Sequence, residues 1–281
     1  MSTAAIDIVI PVYNAPLTLA RCLSALDRCT IAEEARVLVI DDASPDPSIA
    51  PMLENWSVRS RLRPKLLRNP INLGFVGTVN RAFELTHGDI LLLNADTEVT
   101  PGWLAKMRAA LASAPDIATV TPFSNNAEIC SWPQFCRSNP VPDQPDEIAA
   151  AFATANSPIY PELPTAIGFC MLIRRQVIES IGNFDQATFG RGYGEENDFC
   201  LRANAHGWRH ILADDAYVIH IGGASFSTLG LAPGGENLQR LLARYPYYSD
   251  AVARFIDADS LAPIRATVTR ALESARNATN T

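Results

Sequence analysis

The chain has 281 residues, 48% of them hydrophobic and 19% charged, and a formal net charge of -7. This is ordinary globular composition, enough for one large domain or two small ones. The acidic balance and the lack of a sustained basic run argue against a nucleic-acid partner. The one basic stretch, Arg59 to Lys65, reads as a solvated helix end leading into a strand. No apolar run is long enough to span a bilayer. The first residues lack a basic signal-peptide start, and Asp7 and Pro11 interrupt the apolar stretch from Ile6. A cytoplasmic protein is expected, with room for peripheral contact at the inner face of the cell membrane. The six cysteines form no CxxC pair. Cys22, Cys170 and Cys200 sit in apolar contexts and read as core thiols, while Cys130 and Cys136 flank a loop and are close enough in sequence to pair.

The run Ile6 to Val12 predicts a first strand, and Leu17, Ala20, Leu23 and Leu26 recur at helical spacing over Pro16 to Cys29. Val37 to Ile40 predicts a second strand, delivering Asp41 and Asp42 at its end. Ser44 or Asp46 is placed to cap the next helix. Lys65 to Leu67 predicts a short strand, Asn69-Pro70 a turn, and the stretch through Asn80 to Leu85 a helix. Ile90 to Leu93 is uniformly apolar, as in a strand covered on both faces, and Asp96 follows just past its end. A helix from Pro101 to Ala112 with Thr100 as N-cap is expected next. Strands alternating with helices imply an α/β fold with a largely parallel sheet.

The middle of the chain departs from simple alternation. Ile117 to Val120 predicts a strand, Ser124 to Gln144 a long loop, and Asp146 to Ala153 a helix. Ala166 to Ile173 predicts a strand and Arg175 to Ile181 a short helix. Phe189-Gly190-Arg191-Gly192-Tyr193-Gly194 has glycine at alternate positions, the composition of a loop that closes over a substrate. Glu195-Glu196-Asn197-Asp198 then opens a helix. His210 to Leu212 and Tyr217 to Ile221 predict two short strands, with His220 near the end of the second. Beyond Gly222 the chain reads as covering helices or an association surface, with stripes at Leu238, Leu241 and Leu242 and at Ile264, Val268 and Leu272. Fraying is expected from Ser274 onward.

Neither the dinucleotide glycine fingerprint nor a phosphate-binding G-x-x-x-x-G-K-[ST] loop is present, so a bound diphosphate needs another means of support. Asp96 at a strand end is a good place for a divalent cation, because ligands of open α/β sheets bind outside the carboxyl ends of the strands. Taken alone, Asp96 reads equally as a turn residue, the acids at 195, 196 and 198 as favourable charges at a helix start, and His220 as a strand-end histidine.

The motifs Val9-Ile10-Pro11-Val12-Tyr13-Asn14, Val39-Ile40-Asp41-Asp42-Ala43-Ser44, Asn72-Leu73-Gly74-Phe75, Leu92-Leu93-Asn94-Ala95-Asp96, Gly194-Glu195-Glu196-Asn197-Asp198 and Val218-Ile219-His220 stand in one order along the chain. Together they resemble the inverting nucleotide-sugar glycosyltransferases of family 2, most of all bacterial rhamnosyl- and galactofuranosyl-type enzymes of surface-polysaccharide assembly. The resemblance implies the GT-A fold, a mostly parallel Rossmann-like sheet flanked by helices, over residues 1–225. Residues 1–122 would form the nucleotide-sugar half and 123–225 the acceptor half, with 226–281 a C-terminal helical extension. It implies that Pro11, Tyr13 and Asn14 border the base and that Asp41 accepts a hydrogen bond from it. Asn72 and Gly74 would approach the ribose and diphosphate. Asn94, Ala95 and Asp96 would stand for the family's DxD motif, with Asn in the first acidic place. Asp96 and His220 would hold Mn²⁺ or Mg²⁺. Glu196 would be the catalytic base where the family often has Asp, assisted by Glu195, with Tyr193 and Asp198 on the acceptor. The implied partners are a nucleotide-diphosphate sugar and a glycan or lipid-linked glycan acceptor, and the C-terminal helices offer either membrane docking or a homodimer interface. Two other classes compete: a sugar nucleotidyltransferase, which wants a basic glycine-rich loop near the N-terminus, and a non-catalytic nucleotide- or glycan-binding module.

Overall fold

The structure, a computed structural model, describes residues 6–155, 157–222 and 235–279. Four strands, β1 (Ile6–Val12), β2 (Ala35–Asp41), β3 (Lys65–Arg68) and β4 (Ile90–Leu93), pair in parallel in the order β3-β2-β1-β4. The helices α1 (Pro16–Cys29), α2 (Ile49–Arg59) and α3 (Gly74–Leu85) connect them. Alternation along β1 explains how one strand serves two cores. Ile8, Ile10 and Val12 pack with Leu19, Leu23 and Leu26 of α1, while Val9 packs with Val76, Val79 and Phe83 of α3. All four side chains of β4 are buried, each contributing roughly 1.5–3 kcal/mol over an exposed position.

Beyond β4 the sheet becomes mixed. The strand β5 (Thr97–Val99) precedes α4 (Trp103–Ala112) and β6 (Ile117–Phe123). Then come α5 (Pro145–Ala155), β7 (Glu162–Leu163), β8 (Cys170–Ile173), α6 (Arg175–Ile181), α7 (Gln186–Phe189), α8 (Glu195–Ala205) and β9 (Arg209–His220). The sheet continues as β4-β8-β6-β9-β5, with β7 also on β9. Strand β8 is antiparallel to β4 and β6, β6 is parallel to β9, and β5 is antiparallel to β9.

Several expectations are corrected here. Residues 97–99 form a strand because they pair with β9, so the following helix starts at Trp103, after Gly102 at φ 76°. Thr100 donates its hydroxyl to the Tyr217 carbonyl instead of capping that helix. Neither Ser44 nor Asp46 caps α2; Asp46 accepts from the Ser48 amide at 2.9 Å one turn earlier. The strand expected from Ala166 starts at Cys170. The two short strands expected over residues 210–221 are one, β9, whose register against β6 shifts at Pro122/Phe123. Cys130 and Cys136, whose pairing the sequence left open without favouring it, are both free.

The last helices are α9 (Gly235–Arg244), α10 (Tyr248–Ala258) and α11 (Ala262–Thr279). Ile264, Val268 and Leu272 of α11 enter the main core alongside Ile148 and Phe152 of α5, so α11 is a covering helix of the same body. It runs on to Thr279, through most of the stretch expected to fray. The boundary expected at 225/226 lies outside the described residues. Among the described residues no helix is long and apolar enough to cross a membrane.

Candidate active site

The carboxyl ends of β1, β2 and β4, together with the ends of β6 and β9, surround a cavity of about 350 Å³. Two of its lining residues, Glu128 (46°) and Tyr193 (69°), are non-glycine residues at positive φ. Such strained backbone persists where the surrounding structure holds it in place, often at functional sites.

Pro11 and Tyr13 line the cavity at the exit of β1, and Asn72 and Gly74 line it at the start of α3. The carboxylate of Asp42 builds this second wall. It accepts from the Leu73 and Gly74 amides, both at 2.8 Å, and from Asn69 Nδ2 at 2.7 Å. Gly74 sits at φ +74°, and a Cβ there would lie 2.9 Å from Arg191 Cα. Only glycine lets α3 begin this close to the glycine-rich loop. The Phe75 amide then donates to the Arg191 carbonyl at 3.2 Å.

Asn94, Ala95 and Asp96 line the cavity beyond β4, and His220 reaches it from β9. The β5–β9 pairing, which sets Thr97 opposite His220, is what brings these distant segments together. His220 Nε2 lies 3.5 Å from Asp96 Oδ1. Its Nδ1 lies 2.6 Å from the Asn126 carbonyl. A carbonyl can only accept, so Nδ1 carries a proton and Nε2 is the ring nitrogen turned toward the Asp96 carboxylate. The ring also stacks on Phe169, centroids 5.0 Å apart. Two electron-pair donors held this close fit a shared divalent cation with metal–ligand distances near 2.1 Å. Among the described residues no group of three or more such side chains converges.

Glu195 and Glu196 open α8 and line the opposite part of the site with Tyr193. Each has a buried Oε2 without a hydrogen-bond partner. Burial raises both carboxyls, and Glu195 is pushed well above the usual range, with the neighbouring Glu196 adding to the effect. Glu195 is only 2% exposed, whereas Glu196 keeps partial access and lies against Gly168, whose Cβ would be 3.6 Å from its carboxyl. The two share a hydrogen bond, and the more buried Glu195 keeps the proton and donates it. Burial, with Glu196, Glu195 and Asp96 nearby, raises the Tyr193 phenol. Burial and Glu196 also raise Glu128, another lining acid.

Three expected site residues lie elsewhere. Asn14 ties the β1 exit to the β2 loop, its amide donating to Ser44 Oγ at 2.9 Å and its Oδ1 accepting from the Asp46 amide. Asp41 is held by Arg68 and by the Ser44 amide and does not line the cavity. Asp198 faces the rear of α8, fully buried, bound to Arg202 at 2.8 Å and Arg244 at 2.5 Å. Of the lining residues, the sequence assigns no role to Asp42, which stands out only as a pair with Asp41, nor to Asn126, Glu128 and Phe169. The adjacent Asp41-Asp42 pair was a signal for the first, and alternation on a strand puts only one of two neighbours on the cavity side.

The chain was compared with known proteins. The description "Glycosyl transferase family 2" matches residues 7–182. A dolichol-phosphate mannosyltransferase of Pyrococcus furiosus is 26% identical over 131 residues, covering 46% of this chain and 36% of that protein. The O-antigen biosynthesis protein RfbC of Myxococcus xanthus is 26% identical over 242 residues, covering 79% of this chain and 18% of that protein. The chain thus spans well under half the length of either relative. The crystal structure of GalNAc-T7 with UDP, GalNAc and Mn²⁺ superposes with a TM-score of 0.64 at 15% identity, over 90% of this chain and 57% of that one. That likeness is one of fold, and the fold is GT-A. The chain belongs to glycosyl transferase family 2.

Proposed function

We propose that the chain transfers a sugar from a nucleotide-diphosphate sugar to a hydroxyl of a glycan or lipid-linked glycan, by a single displacement with inversion. The carrying observation is the pair Glu195 and Glu196, each with one buried carboxyl oxygen that has no partner, in the same cavity as Asp96 and His220. Pro11 and Tyr13 border the base, and Asn72, Gly74 and Asn94 the ribose and diphosphate. The described lining holds no Lys or Arg, so a diphosphate enters beside Asp42, Asp96, Glu195 and Glu196 without a fixed cationic side chain. Asp96 and His220 would hold a divalent cation, which as a Lewis acid supplies charge neutralisation for the departing diphosphate.

Glu196 is the base. Its partial access lets an acceptor hydroxyl approach, and its raised affinity for protons suits proton removal near neutrality. Glu195, keeping its own proton, donates to Glu196 and fixes its orientation. Tyr193 lies beside both acids, on the acceptor's approach.

Titration of the protein with UDP, dTDP and GDP, each with and without Mn²⁺, tests this reading. Binding of one nucleotide that strengthens with Mn²⁺ and weakens in Asp96→Asn supports it. Absence of binding for all three counts against it, as does transfer with retained anomeric configuration.

A further inference from the structure

The glycine-rich loop between α7 and α8 is gripped from both sides. On the α3 side, the Phe75 amide bonds Arg191 and Gly74 abuts it. On the other side stands α9, at least forty residues later in the chain. Asn237 in its first turn donates both hydrogens of one amide nitrogen, to the Phe189 carbonyl at 2.9 Å and the Gly192 carbonyl at 2.8 Å. Both acceptors are carbonyls, so the side-chain nitrogen must face them. Asn237 Oδ1 accepts from Arg240, which also donates to the Thr188 carbonyl at 2.7 Å. Leu241 packs with Phe189 and Leu201 beneath this contact. The bonded carbonyls lie on either side of Gly190 and Arg191, and Gly192 immediately precedes Tyr193, Gly194 and Glu195. Gly190, Gly192 and Gly194 all have positive φ, and within the segment the Gly192 amide donates to the Phe189 carbonyl at 3.2 Å, so the Asn237 bonds add a second tie to the same two residues.

We infer that Asn237 is a positioning residue for transfer: its two-pronged bond sets the path of the loop and through it the placement of Tyr193 and the Glu195–Glu196 pair. The inference rests on the proposed glycosyl transfer for its kinetic consequence, but the grip itself is a separate physical claim. Asn237→Asp keeps the side-chain shape and the acceptor toward Arg240 and removes both donors. Asn237→Ala removes the side chain.

Transfer kinetics, nucleotide titration, thermal melting and limited trypsin digestion test it in the full chain. Arg191 is exposed and lies inside the gripped segment, so cleavage after it reports loop opening. In both variants kcat is expected to fall by about 10- to 100-fold, the scale of a small misplacement of catalytic groups, while the nucleotide Kd stays within about threefold. Cleavage after Arg191 is expected to rise by roughly tenfold, with melting little changed. Gln239→Ala, an exposed neighbour on α9 whose side chain takes no part in the grip, is expected to match wild type in all four measurements. Wild-type kcat and wild-type cleavage in both Asn237 variants overturn the inference. So does a nucleotide Kd that weakens as much as kcat falls, which marks general loosening. If the wild-type chain transfers no sugar, the proposed function fails while the cleavage measurement still decides the grip.

Discussion

The two faces of α8 carry the same kind of side chain in opposite circumstances. At the front, Glu195 and Glu196 each keep a buried oxygen without a partner. At the rear, three residues on, Asp198 is fully buried and saturated by Arg202, Arg244 and the Tyr245 hydroxyl. Acids at the start of a helix gain from its positive end wherever they point. What separates them is whether the fold supplies partners. The two front oxygens are left without one, while the rear acid clamps α9 to α8.

The sharpest break of that comparison is Glu196→Gln. Loss of the base is expected to lower kcat by about 10³-fold while nucleotide affinity is kept; a fall in affinity instead would move Glu196 to donor binding. Next come Asp96→Asn and His220→Ala. Each is expected to weaken Mn²⁺-dependent nucleotide binding by about 10- to 100-fold, read by calorimetry. At the rear, Asp198→Asn is expected to destabilise the fold by about 2–3 kcal/mol, less than the usual cost of severing a buried pair because both arginines can turn toward water. Denaturant unfolding measures that loss, and kcat per folded molecule should change far less than in Glu196→Gln.

The smallest effect sharpens the contrast through pH. The Glu195 proton affinity is raised in the fold, so the native state binds protons more tightly than the unfolded one. Stability from this site is therefore full below about pH 4.3, the unfolded value for Glu, and declines as pH rises toward the raised native value. Glu195→Gln removes that dependence. Its melting temperature is expected to exceed wild type by a few degrees at pH 8 and to match it at pH 4, and transfer persists because Gln still donates to Glu196. No gain at pH 8 would mean that Glu195 is not held protonated.

Legibility from sequence follows how local each signal is. β1, α1 and α6 coincide with the expected bounds because strand runs and helical spacing are written in consecutive residues. Asp96, just past the end of β4, was legible for the same reason, whereas Tyr13 and Asn94 came from the family resemblance; all three line the cavity. β5 was not, since three residues form a strand only against a partner more than a hundred positions away. The burial of Asp198 against α9 was not legible for a related reason: its partner Arg244 lies on that helix, and nothing near residue 198 announces it. The choice between Asp41 and Asp42 turns on which side of β2 faces the cavity, a matter of sheet register.

The start of α3 carries a last consequence, for turnover. The amides of its N-cap, Leu73, and of its first two residues, Gly74 and Phe75, are all taken by internal acceptors, Asp42 and the Arg191 carbonyl. A free helix start would bind product and inorganic phosphate alike. With those amides filled from within, the grip on a spent nucleoside diphosphate would rest on the cation proposed at Asp96 and His220. Chelation is therefore expected to speed product release, and millimolar phosphate to be a poor inhibitor.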